Sequence, residues 1–119
     1  HVEEILSAFH GNGRRYDKIF SKMSGIKTLR RDNRDFQTYW GYTVLVENRA
    51  EVMKALTEAG IGCGQIHVRN DIYSMFAGER RDLPNTDRVD ACELSLPCGW
   101  WVNEEIQDYI IDEVKKAVQ

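Results

Sequence analysis

The sequence has no run of about 18 apolar residues, so a membrane-spanning helix has no place to sit. It also lacks a charged start followed by an apolar block and a cleavage site, because Glu3, Glu4, Arg14, Arg15 and Lys18 interrupt residues 1–20. The cytoplasm is therefore the expected compartment. Charge of one sign is scarce: 16 basic residues against 19 acidic ones give −3 and a pI near 5.6. Such a mild balance argues against nucleic acid or a membrane surface as partner. Cysteine is sparse and odd in number, and the irregular spacing of Cys63, Cys92 and Cys98 does not match a disulfide framework. Free, mostly buried thiols are expected. Repeats, low-complexity tracts and an internal linker are missing too. The chain opens at His1, with no initiator methionine, and so reads as a segment of a longer protein.

What is present suffices for a core. With 42% hydrophobic and 29% charged residues over 119 positions, the composition fits one domain spanning residues 1–119. Ile5, Phe9, Tyr16, Ile19, Phe20 and Met23 fall on one helical face, which predicts a long N-terminal helix. Gly11 and Gly13 lie inside it, each costing about 1 kcal/mol relative to alanine unless packing supports the segment. Gly25 is placed to end that helix, and Ile26 to Leu29 reads as a short strand. Residues 39–46 read as a central strand with Trp40, Tyr42, Val44 and Val46 on one face. Asn48 caps a second helix with Val52, Leu56 and Ala59 inside and Gly60 as its stop. Another strand follows over residues 61–68, then short helices over 71–77 and from Asn85 or Thr86 to Cys92. Leu94 to Leu96 forms a brief strand. Asn103 caps a last amphipathic helix with the stripe Ile106, Ile110, Val114 and Ala117. This order predicts an α+β fold: a small, mostly antiparallel sheet with helices packed on it.

Few constellations carry chemistry. Cys63, His67, Cys92 and Cys98 are metal-ligand types, but three residues separate the first pair and five the last, unlike the paired knuckles of structural zinc. The glycines at 11 and 13 and at 60, 62 and 64 do not sit at a strand-to-helix junction, where a phosphate cradle needs them. The pairs Arg14-Arg15, Arg30-Arg31 and Arg80-Arg81 are interleaved with Asp17, Asp32, Asp35, Glu79 and Asp82, as on a solvated face. The stretch from Gln65 to Tyr73 is different, because Gln, His, Arg, Asn and Tyr cluster where a strand runs out into a loop.

Arg15-Tyr16-Asp17 in a long helix, GYTVLVENRAEVMKALTEAGIGCG over 41–64, LPNTDRV over 83–89 and LSLPCGWWVNEEIQDYI over 94–110 follow one another in order. This succession resembles the C-terminal small domain of the DegT/StrS-type aminotransferases, pyridoxal-phosphate enzymes that make amino sugars on nucleotide carriers. The resemblance covers residues 14–118. It implies a parent protein in which an N-terminal domain holds pyridoxal phosphate and supplies the Schiff-base lysine, while this region closes one wall of the cleft. Lys18, Lys22, Lys27, Lys54, Lys115 and Lys116 read as solvated, so no cofactor bound covalently to this region is expected. Carried onto this sequence, the resemblance implies that His67, Arg69, Asn70 and Tyr73 bind the nucleotide sugar. Arg69 would meet a phosphate, and His67 and Asn70 sugar hydroxyls. The implied partners are the cofactor domain, the nucleotide-sugar substrate and a second copy in a homodimer. The loop departs from the family's His-Tyr and proline, having His67-Val68 and then Arg69-Asn70-Asp71. A gene encoding only these residues would instead specify a freestanding ferredoxin-like domain that binds a small molecule or a protein.

Overall fold

Apolar alternation and helical periodicity combine into three antiparallel strands backed by four α-helices in a computed structural model, which describes every residue except Asn33, Ala77, Glu79 and Arg80. The fold is α+β. Helix α1 (Val2–Phe20) has Glu3 and Glu4 in its first turn and Lys18 in its last, the arrangement that suits the helix dipole. It runs unbroken through Gly11 and Gly13 because other parts of the chain hold it there. The Asn12 side-chain amide donates to the carbonyls of Gly99 and Val102, both at 3.0 Å, while Gln107 Nε2 donates to the Asn12 carbonyl at 2.8 Å. Gly13 lies against Tyr39 so closely that a Cβ there would fall inside the ring.

Strands β1 (Ile26–Thr28), β2 (Tyr42–Val46) and β3 (Glu93–Leu96) form the sheet in the order β1-β2-β3. Ile26 faces Val46 across one pair, and Tyr42 faces Leu96 across the other. Tyr42, Val44, Val46, Leu94 and Leu96 present one face to α1, to α2 (Arg49–Glu58) and to α4 (Glu104–Ala117). There they join Tyr16, Phe20, Val52, Leu56, Ile110, Ile111 and Val114 in a continuous core. Each such buried side chain stabilises the fold by roughly 1.5–3 kcal/mol relative to exposure. Helix α3 (Pro84–Cys92) leads directly into β3. Among the described residues, no helix is long and apolar enough to cross a membrane.

Several expectations are corrected. Residues 61–68 form no strand; their one ladder contact is the bridge between Gly64 and Ser95. Glycines at 62 and 64 weaken extension, and the Gln65 side chain bonds within its own loop instead of packing on a pleat. Trp40 is not in the core but 74% exposed. Tyr39 turns the chain at φ 37°, so alternation starts only at Tyr42, and the Tyr39 ring takes the inner position. Gly25 does not end α1, which stops at Phe20; at φ 81° it makes the turn into β1. Asn103 caps α4 by accepting the Ile106 N–H at 2.9 Å, but the Asn48 side chain makes no such bond. The buried stripe of α4 is Gln107, Ile110, Ile111 and Val114, and Ile106 is exposed. The stripe is rotated because Gln107 is drawn into the seam with α1, where it also accepts from Arg15 Nη1 at 3.1 Å. Residues 70–76 form two 3-10 turns, Asn70–Ile72 and Ser74–Phe76, in place of one helix, and the expected end at Ala77 lies outside the described residues.

Candidate functional site

Past the bridge at Gly64 the backbone has no further ladder partner, and side chains take over the work of holding it. Gln65 Nε2 donates to the His67 carbonyl at 3.0 Å and to Asp90 Oδ1 at 2.9 Å. Arg69 forks onto Asp71, with Nε 2.5 Å from Oδ1 and Nη2 2.7 Å from Oδ2, and its Nη1 donates to Asp87. Asp87 and Asp90 lie on α3, which is itself held to the start of α2 where Arg49 Nη1 donates to the Asp90 carbonyl. Of the four residues singled out in the sequence, His67, Asn70 and Tyr73 are exposed on this one loop. Arg69 is not: only 6% of its side chain is exposed. Sequence reasoning did not find Asp87 or Asp90 as partners of the loop, since nothing in the order of residues links positions 65 and 69 to 87 and 90. The acidic spacing of one helical turn is the sole local hint.

Beside this loop, a groove of about 640 Å³ runs between the bend at Trp40-Gly41, the glycine segment and the turn after β3. Trp40, Ile66 and Trp101 supply its apolar walls, and Cys63 and Cys98 also line it. Gly41 sits close to that wall: a Cβ there would lie 2.9 Å from Ile66 Cδ1, so the Ile66 side chain would have to move to admit one. All three tryptophans are more than half exposed, at 74%, 61% and 56% for Trp40, Trp100 and Trp101. Trp101 is held edge-on to Phe9 and to Trp100, with centroids 6.2 and 5.9 Å apart. So much ordered aromatic surface facing outward is characteristic of an interface or a ligand cleft.

A third polar cluster supports the framework. Asp17 accepts from the hydroxyls of Tyr39 at 2.8 Å and Tyr42 at 2.7 Å, and the Arg31 guanidinium lies 5.0 and 5.6 Å from those ring centroids. Burial, reinforced by the bond to Asp17, pushes the Tyr39 hydroxyl up to about 12, and the same causes push Tyr42 up as well. Burial likewise pushes the Cys98 thiol up to about 12 and raises that of Cys63. Both stay protonated at neutral pH and are poor nucleophiles. Among the described residues, no three His, Cys, Asp or Glu side chains gather as a metal ion requires.

The model of the DegT/DnrJ/EryC1/StrS aminotransferase family matches residues 1–115. The chain belongs to that family. Its fold is similar to the sugar aminotransferase CalS13 of Micromonospora echinospora, at TM-score 0.92 and 30% identity over 98% of this chain. AtS13 of Actinomadura melliaura matches at TM-score 0.90 and 30% identity over 97% of it. DesV of S. venezuelae, solved in complex with a ketimine intermediate, shares the fold at TM-score 0.90 and 21% identity. No curated protein sequence matches the chain. The chain spans only 31% of CalS13 and 31% of AtS13. All six lysines are exposed in this chain, whereas a Schiff-base lysine needs a desolvated amine held beside its cofactor.

Proposed function

We propose that residues 1–119 form the C-terminal small domain of a pyridoxal-phosphate-dependent sugar aminotransferase of the cytoplasm. In this reading it closes one wall of the active-site cleft and presents the loop from Gln65 to Phe76 to a nucleotide-linked sugar. The observation that carries the reading is the pairing of near-complete overlap of this chain with coverage of only 31% of CalS13, in a chain whose six lysines are all exposed. Chemistry that this region lacks would then come from the remainder of the parent. The outward tryptophans supply the kind of surface that a second domain covers. His67, Asn70 and Tyr73 offer the mixed donors and aromatic edge that suit sugar hydroxyls. Free thiols at Cys63, Cys92 and Cys98 are in keeping with a reducing compartment.

Two measurements test this. Mixed with pyridoxal phosphate, the isolated chain is expected to give no internal-aldimine absorbance and no lysine trapped stoichiometrically by borohydride; one such lysine would contradict the proposal. In the full-length parent, His67→Ala is expected to raise KM for the sugar substrate with the melting temperature unchanged. An unaltered KM would remove the loop from the site.

A further inference from the structure

We infer that Arg69 serves the candidate loop as a positioning residue, acting through Asp71 and Asp87, and that Gln65 and Asp90 form a second clamp of the same kind. The inference rests on the reading of this loop as the substrate-facing one. Arg69 would otherwise be the natural partner for a phosphate, yet its geometry points inward. Each of its three side-chain nitrogens already donates to a carboxylate: Nε and Nη2 to Asp71, and Nη1 to Asp87. A fork this complete is the arrangement in which arginine binds carboxylate most strongly, and only 6% of the side chain is exposed. Two carboxylates already engage the one guanidinium. An incoming phosphate would have to displace Asp71 or Asp87 first.

The clamps lie where the backbone needs them. Between the bridge at Gly64 and the 3-10 turn at Asn70–Ile72, the chain has no strand or helix of its own. Such a segment is held only by what its side chains reach. Gln65 pins the start, taking the His67 carbonyl and Asp90 together, and Arg69 pins the end. Asp87 and Asp90 are one turn apart on α3, and α3 continues without a break into β3. The position of His67, Asn70 and Tyr73 is thereby referred to the sheet. Order established before binding removes the entropy cost of ordering the loop when ligand arrives.

The test uses the full-length parent and compares Asp87→Asn, Asp87→Glu and Arg69→Lys with wild type. Amide hydrogen exchange over residues 66–73 and affinity for uridine and thymidine 5′-diphosphates are both read. Asp87→Asn and Arg69→Lys are expected to speed exchange over 66–73 by about tenfold while leaving the core strands unchanged. They are also expected to weaken the tighter-bound nucleotide by about three- to tenfold. Asp87→Glu, which restores the carboxylate, is expected to recover both. The Lys variant separates the two roles of Arg69: a phosphate ligand would tolerate it in part and leave loop exchange alone, because the charge is kept and only the fork is lost. Unchanged exchange in Asp87→Asn overturns the inference. So does faster exchange with wild-type affinity, provided that His67→Ala still weakens binding. If His67→Ala and Asp87→Asn both leave affinity at the wild-type value, the assignment of the loop to the substrate site fails instead.

Discussion

Three buried hydroxyls give the molecule an alkaline limit. Burial raises Tyr16, Tyr39 and Tyr42 above the ordinary 10.0, and raises Cys98 above 9.0. The folded state therefore holds these protons more tightly than the unfolded chain, and their contribution is fully present below the unfolded values. It is lost as pH climbs toward the folded ones. Urea midpoints are expected to be flat from about pH 7 to 8.5 and to fall steadily above about pH 9.5. Tyr39→Phe should flatten that fall, and a midpoint independent of pH up to about 11 would contradict the argument. Glu93 makes the opposite point about burial. It opens β3 at 1% exposure, and neither carboxylate oxygen has a partner among the described residues. A neutral side chain of similar shape should suit the position better, so Glu93→Gln is expected to raise stability by about 1–3 kcal/mol in a denaturant melt. Residue-scale features of this kind were the least legible in the sequence. Nothing local distinguishes Glu93 from a solvated glutamate, and Arg69 reads as an exposed cation until α3 is placed beside it.

At the scale of elements, α1 shows how one residue type can have two roles within a single turn. Gly11 is exposed with open space where a Cβ would go, whereas Gly13 is buried against the Tyr39 ring. Gly11→Ala is expected to stabilise the chain by up to about 1 kcal/mol. Gly13→Ala is expected to destabilise it by about 1–3 kcal/mol through forced displacement of Tyr39. Equal effects in thermal melts would disprove the assignment. Elements with a strong period were readable in advance: α1, the core of β2, α2 and α4 all emerge where apolar spacing predicts them. Failures arise where side chains at a distance decide the outcome. The expected strand at 61–68 lost its ladder to the Gln65 clamp, and the α4 stripe turned to admit Gln107 into a polar seam with α1. Trp40 had the alternation of a core residue, but a single positive φ at Tyr39 offset the strand's start.

For the whole molecule, the exposed tryptophans separate stability from assembly. In this chain alone Trp40→Ala is expected to change stability by less than about 0.5 kcal/mol, as for an exposed site. On the proposed reading of this chain as one domain of a larger enzyme, the same change in the full-length parent is expected to lower the melting temperature or weaken activity, because the ring would be covered there. Differential scanning calorimetry of both proteins checks it, and a large loss in the chain alone would place the ring back in the core. The fold and the family were legible because an ordered set of segments, from Arg15-Tyr16-Asp17 to the Leu-Ser-Leu-Pro turn, spans most of the chain. The contacts that tie the loop to α3 were not, since they join residues 18 or more positions apart.

The sheet's two borders carry a consequence of their own. On one side β1 is only three residues long and sets the exposed Lys27 at its midpoint; on the other, pairing dwindles to a single glycine–serine contact. A short strand with an edge lysine on one rim and a covering loop on the other both disfavour pairing with a foreign strand, so self-association at high concentration is expected to run through the exposed aromatic side chains before it runs through strand addition.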